Sequence, residues 1–228
     1  MTQSVDGQAA VDAAIAAFAD GQPVLVHDFA DREGETDIVY PAAAVDSGAV
    51  ARLRNDAGGL VCVALSDPVS ETFGLPFLQD AIEHPAAGDH TLAYDERSSF
   101  SLTVNHRETF TGITDVDRAL TISELGNAAA AIENGDGYDE SAFADQFRSP
   151  GHVHLLRAAP DLLADRVGHT ELGIALAAAA DQPPAVVVCE MLDDETGGAR
   201  SPADAAAYAD RHGLVYVEGE TLLSRLAD

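Results

Sequence analysis

The chain has no lysine and no tryptophan, and only two cysteines and two methionines in 228 residues. Its 12 basic residues are therefore all arginine, against 39 Asp and Glu, for a formal net charge of −27. Two cysteines at this length exclude a disulfide scaffold. So few cations exclude a basic nucleic-acid-binding face, because neutralising phosphates takes clustered Lys and Arg. No apolar run approaches the roughly 18 residues that a membrane span needs. The opening MTQSVDGQAAVDAA lacks the basic head and apolar stretch of a secretory leader. The expectation is a cytoplasmic protein with no membrane and no nucleic-acid partner. An acidic, lysine-free surface also suits work in molar salt, where the screening length falls from about 10 Å at 0.1 M to about 3 Å at 1 M. An ordinary acidic protein is the plainer alternative.

The apolar content, 46%, is spread along the chain and excludes disorder. Val11, Ala14, Ile15 and Phe18 repeat at helical spacing. PVLVHD and DIVYPA read as strands, and Asp46 or Ser47 can cap a helix carrying Val50, Leu53 and Ala57. LVCVALS and AVVVC are short apolar runs of the kind buried on both faces of a sheet. Phe100, Leu102 and Val104 alternate as a half-buried strand, and 153–157 and LVYV add two more. Helices are expected from Thr114 or Asp115 through Leu125, with continuation over 127–133, after Thr170 as a cap, and from Ser201-Pro202 to Gly213. The polar stretches 84–99 and 134–149 read as loop and turn. Strands and helices interleave without a linker or internal repeat, which predicts one α/β domain over 1–228 with helices layered on a mixed sheet.

Five polar segments can carry chemistry. Asp31 to Asp37 places four carboxylates and Arg32 in seven residues. That is a hard-oxygen set suited to Mg²⁺ or Mn²⁺, with a guanidinium fork for an anion. Pro150-Gly151 precedes His152 at the mouth of a strand, where an imidazole can act as acid or base. Arg166 to Glu171 opens a helix, and free backbone N–H groups there favour an anion. Glu190 follows a buried strand, the position where α/β proteins hold ligands. Thr111 to Arg118 puts hydroxyls and a glycine beside a helix start. Each alone has a plain structural reading: a solvated acidic loop, a surface His, a capped helix, an exposed Glu. Cys62 and Cys189 lie in apolar strands and read as packing residues.

Together these segments resemble the 3,4-dihydroxy-2-butanone 4-phosphate synthase family, over nearly the whole chain from Val11 to about Leu222. The family's D-R-E-x-E-x-D corresponds to Asp31–Asp37, its T-G-[IV]-[ST]-x-x-D-R to Thr111–Arg118, and its P-G-H-V to Pro150–Val153. Its R-x-G-H-T-E corresponds to Arg166–Glu171 and its C-E to Cys189-Glu190. Gly34 and Thr36 depart from a commoner Asn and Gly, and Arg148-Ser149 from the usual Asn-Arg.

The resemblance implies a single-domain, three-layer α-β-α sandwich on a mixed sheet. It implies a homodimer with sites near the subunit interface, and conversion of ribulose 5-phosphate to 3,4-dihydroxy-2-butanone 4-phosphate and formate in riboflavin biosynthesis. Two Mg²⁺ or Mn²⁺ ions per site and no organic cofactor are implied. Carried over, Glu33 and His169 are metal ligands. Arg32, Glu33, Asp37, Thr111, Arg166, Val167, Gly168, His169, Thr170 and Glu190 contact the sugar phosphate. His152 and Glu190 move protons. The chemistry is coherent: proton loss beside the ketose carbonyl gives an enediolate whose charge a divalent ion can hold. The later dehydration and rearrangement then need groups of different pKa. A zinc-dependent GTP cyclohydrolase II module, fused in many relatives, needs three Cys, so a monofunctional chain is expected. A metal-dependent sugar-phosphate isomerase or aldolase, and a nucleotide- or RNA-binding module of related fold, are the alternatives.

Overall fold

Seven strands join one sheet in a computed structural model that describes residues 2–29, 32–87 and 97–227. Asp31 and residues 88–96 lie outside the described residues. In chain order the elements are α1 (Thr2–Ala19), β1 (Val24–His27), β2 (Thr36–Pro41), α2 (Ser47–Arg52), β3 (Cys62–Leu65), α3 (Asp67–Thr72), α4 (Leu78–Ala81) and β4 (Phe100–His106). They continue as α5 (Asp115–Glu133), α6 (Glu140–Gln146), β5 (Phe147–Arg157), α7 (His169–Ala179), β6 (Ala185–Glu190), α8 (Pro202–His212), β7 (Val215–Glu218) and α9 (Gly219–Leu226).

The strand order is β4-β5-β3-β6-β2-β1-β7. β3 with β5 and β1 with β7 pair parallel, and the other neighbours pair antiparallel, so the sheet is mixed. The side-chain period of two sends alternate residues to opposite faces. On β3, Val63 and Leu65 join a core with Val50, Leu53, Ile122, Leu125 and Tyr208, from α2 and the helical turn after it, α5 and α8. Cys62 and Ala64 join a second core with Phe18, Leu172, Leu176 and Leu222, from α1, α7 and α9. These are the three layers expected. Each fully buried Leu or Phe contributes roughly 1.5–3 kcal/mol relative to exposure. No described helix is long and apolar enough to cross a membrane.

Several local expectations are corrected. The polar stretch 134–149 holds α6, capped by Asp139, whose carboxylate accepts the Ala142 N–H at 2.9 Å. Two aromatics carry this segment: Phe143 stacks on Phe73 and on Phe147 at centroid separations of 4.6 and 4.9 Å. β5 begins at Phe147, not Val153, because Phe147 and Arg148 pair with His106 and Asn105 of β4 across polar residues that break the apolar pattern. The short helices α3, α4 and α9 add to the elements expected from the sequence. Gly168, not Thr170, is the N-cap of α7, and the Glu171 carboxylate reaches back to the Gly168 N–H at 3.2 Å.

Candidate active site

Antiparallel pairing of β2 with β6 sets Asp37 opposite Glu190, and pairing of β1 with β2 sets His27 opposite Thr36. The end of β1, the start of β2 and the end of β6 therefore meet at one end of the strands, and the N-terminus of α7 joins them there. A cavity of ≈ 360 Å³ opens there, lined by Arg32, Glu33, Glu35, Asp37, Arg166, His169, Thr170 and Glu190, with Cys62, Val188, Leu156 and Phe100 as apolar wall and Ser98 and Ser99 beside them.

The acidic loop is folded around Asp28, whose two carboxylate oxygens accept the N–H groups of Glu33 (3.4 Å) and Glu35 (3.1 Å). Arg32 lies 3.6 Å from the same carboxylate. His169, buried at the first position of α7, has Nδ1 3.5 Å from Glu33 Oε2 and Nε2 3.6 Å from Asp37 Oδ1. Asp28, Glu33 and His169 each bring a ligand atom within 4.8 Å of the others.

Charge crowding shapes the proton chemistry. Burial pushes the Asp37 carboxyl up to about 8, with Glu190 and Glu33 adding to it and His169 opposing. Burial alone would lower His169; Asp37, Glu33 and Asp28 overturn that and raise it to about 9. Burial also raises Glu35, reinforced by Glu33 and Glu190. Burial would raise Glu33 as well, but His169, Arg32 and Arg166 outweigh it and hold Glu33 below the usual carboxylate range. The Asp37 carboxyl and the His169 imidazole thus each hold a proton more tightly than in water, because several carboxylates crowd one buried pocket. Asp37 Oδ1 and His169 Nε2 are buried without a hydrogen-bond partner among the described residues. Orphaned carboxylate and imidazole atoms facing each other fit a divalent cation, whose binding would displace those protons.

Beside this cluster lies an anion cradle. Arg166 sits 3.5 Å from the buried Glu171 carboxylate and also meets the Ser99 hydroxyl. The Arg32 guanidinium packs on Gly168, where a Cβ would come within 2.8 Å of its Nη1. Glycine at 168 therefore lets a second guanidinium reach the start of α7, next to Thr170. Glu190 Oε2 accepts the Leu60 N–H at 2.8 Å, which fixes its carboxylate at the cavity mouth.

Of the residues expected from sequence, Arg32, Glu33, Asp37, Arg166, His169, Thr170 and Glu190 line this cavity. Val167 does not, and Gly168 reaches it through Arg32. The chain does not bring His152 or Thr111 to it. His152 is exposed on β5, and Thr111 lies in the loop before α5. Asp28 and the wall role of Cys62 escaped the sequence reading. A carboxylate directly after a strand was the available signal for Asp28. For Cys62 there was none, since an apolar strand hides which face a residue takes.

The loop holding Thr111 has its own anchor. Asp117 accepts N–H groups from Gly112, Thr111 and Phe110, and these bonds hold its carboxyl down at about 2. A depressed carboxyl stabilises the fold above its unfolded pKa of about 3.9, and the contribution is lost as pH falls toward 2. Asp117→Asn is therefore expected to lower the melting temperature at neutral pH and to flatten its fall across that acid window. Melting curves between about pH 2 and about pH 7 check this.

The family model for 3,4-dihydroxy-2-butanone 4-phosphate synthase matches residues 12–225. The chain belongs to this family. A synthase of this name from Archaeoglobus fulgidus is 50% identical over 216 residues, covering 91% of this chain and 90% of the relative. Another from Methanothermobacter thermautotrophicus is 46% identical over 221 residues, covering 93% and 94%. A solved 3,4-dihydroxy-2-butanone 4-phosphate synthase in complex with two magnesium ions superimposes with a TM-score of 0.79 at 27% identity, over 94% of this chain and 95% of that one. The Candida albicans synthase gives 0.77 at 29% identity, over 96% and 97%. As a member of the synthase family at this identity, the chain is an enzyme.

Proposed function

We propose that this enzyme converts D-ribulose 5-phosphate to L-3,4-dihydroxy-2-butanone 4-phosphate and formate, a step of riboflavin biosynthesis, using Mg²⁺ or Mn²⁺, two ions per site. The observation that carries the reading is the meeting of Glu33, Asp37 and His169 with Glu190 in one cavity beside two guanidiniums. Glu33 and His169, with Asp28, supply the ligand atoms for the cation. A bound divalent ion would polarise the ketose carbonyl and hold the negative charge formed when a neighbouring proton leaves. Arg32, Arg166, Thr170 and the α7 N-terminus hold the phosphate end. Asp37 contacts the sugar hydroxyls. Glu190, held by Leu60 through one oxygen, takes and returns protons with the other. Incubation of the purified enzyme with ribulose 5-phosphate and Mg²⁺ tests this: formate should appear in step with ketose consumption. Another pentose phosphate without formate would mean an isomerase.

We further propose that the enzyme works as a homodimer and that Thr111 and His152 reach the partner's cavity across the interface. Phe110, Ile113 and Val116 are 93, 52 and 68% exposed, three large apolar side chains flanking Thr111. His152 adjoins the same loop through Asn105, which touches both His152 and the Gly112 backbone. Such a patch on an acidic surface suits burial against a second copy. Phe110→Asp should shift sedimentation toward monomer and lower formate production at least tenfold, about 1.4 kcal/mol, while melting stays cooperative. A fully active monomer would remove the interface role.

One sheet gathers every described strand, which supports a single domain over 1–228. The net charge of −27 supports a salt-adapted enzyme. Its melting temperature should fall as salt is lowered from about 1 M to about 0.1 M, because unscreened repulsion then opposes the compact state. A salt-indifferent melting curve would argue for an ordinary acidic protein.

A further inference from the structure

The ladder between β4 and β5 breaks beside His152. Its register jumps from Val104 opposite Val153 to Asn105 opposite Arg148, so residues 149–152 bulge out of the pairing. Two β4 side chains take over the N–H groups that the bulge frees. Thr103 Oγ1 accepts the Gly151 N–H at 3.1 Å, and Asn105 Oδ1 accepts the His152 N–H at 2.8 Å. Bulges of this kind re-aim a side chain, and here that side chain is His152.

The same amide also reaches the imidazole. A backbone N–H can only donate, so the atom it meets at 2.8 Å is the Asn105 carbonyl oxygen. The other end of the amide, Nδ2, can only donate, and it lies 3.1 Å from His152 Nδ1. Oδ1 lies farther from Nδ1, at 3.3 Å, and its shorter contact is the one from the His152 N–H. Nδ1 is then an acceptor, and a neutral imidazole must carry its proton on Nε2. Asn105 is itself buried, 4% exposed, and cannot swing away into solvent. Gly112 is part of the device: a Cβ there would collide with the Asn105 amide, and its φ of +88° is one that glycine alone adopts readily.

We propose that Asn105 is a positioning residue that locks neutral His152 in the tautomer with Nε2–H, so that His152 offers a hydrogen-bond donor to a substrate oxygen. This rests on the reading of His152 as part of the proton machinery and divides its labour. With Nδ1 occupied, the neutral imidazole has no free lone pair to act as base. Proton abstraction falls to Glu190, and His152 steadies the oxygen on which charge develops, keeping its own proton.

The test uses the full chain, uniformly ¹⁵N-labelled, with His152→Gln to assign the ring signals. At about pH 8, above the ordinary imidazole range, wild type should show Nε2 protonated and Nδ1 bare. Asn105→Asp, in which both oxygens accept, should move the proton to Nδ1. It should also lower kcat for formate production roughly tenfold or more, with KM changed less than about twofold. The wild-type spectrum needs no variant, so a variant that fails to fold does not block the test. Protonated Nδ1 in wild type, or an unchanged tautomer in folded Asn105→Asp, overturns the proposal. Full activity of His152→Ala, which has no donor, would overturn the donor role of His152, and the tautomer spectra would still decide the part played by Asn105.

Discussion

Glu190→Gln is expected to lower the turnover of ribulose 5-phosphate to formate by roughly 10²–10⁴-fold, the range for loss of a positioned general base. The side chain's oxygen that accepts the Leu60 N–H survives as an amide oxygen, so its position at the cavity mouth is kept. Neither does the change touch Asp28, Glu33 or His169, whose ligand atoms form the candidate cation cluster. KM and Mn²⁺ affinity should therefore stay within about threefold, while kcat and kcat/KM fall together, the pattern of an interaction made only in the transition state. Steady-state formate assays beside calorimetric Mn²⁺ titration separate the two. Equal losses in kcat and metal affinity would place Glu190 among the ligands. An unchanged kcat would move the proton work to Glu35 or Asp37, the other cavity carboxylates outside the candidate cation cluster.

The legible part of this molecule was its covalently local part. Apolar runs such as those of β3 and β6 announce buried strands, and Asp46, Thr114 and Ser201 announce helix starts because each side chain accepts an N–H three residues on. The acidic loop and the Arg166–Glu171 run were legible as chemistry because several ionisable groups stand close in sequence. Asp28 was not, because its role depends on hydrogen bonds that fold the loop back over five and seven residues. α6 was hidden because Phe143 alone is buried in an otherwise polar helix, and its stability comes from Phe73 far along the chain. The first residues of β5 were hidden for the converse reason: a bulged edge region is specified by backbone pairing and by Thr103 and Asn105 across the ladder, not by its own hydropathy. Thr170 was misplaced as a cap because Glu171 competes for the same end of α7, and a carboxylate that also accepts the Ala159 N–H at 3.0 Å wins. That leaves the Thr170 hydroxyl to the cavity.

Replacing His169 with Ala should cost the enzyme most of its affinity for Mn²⁺, roughly 10²-fold or more by the usual effect of weakening a metal's ligand shell. The buried imidazole lies between Glu33 and Asp37, at 3.5 and 3.6 Å, and is the only nitrogen in the candidate cluster. Its proton also links metal binding to pH. His169 is raised to about 9 in the folded chain, above the ordinary value of about 6.5. A raised imidazole adds stability that is fully present below about pH 6.5 and is lost as pH rises toward 9. A cation needs the neutral ring, so binding must expel that proton, and wild-type affinity should climb with pH across the same window. In His169→Ala the climb should flatten, because the group that competes is gone. Thermal shift gives an independent reading: at a free metal concentration about a hundredfold over Kd, wild type gains about 2.7 kcal/mol, and the variant at that concentration should gain little. Mn²⁺ affinity and its pH slope both unchanged in the variant would remove His169 from the ligand set and leave its carboxylate neighbours to hold the ion alone.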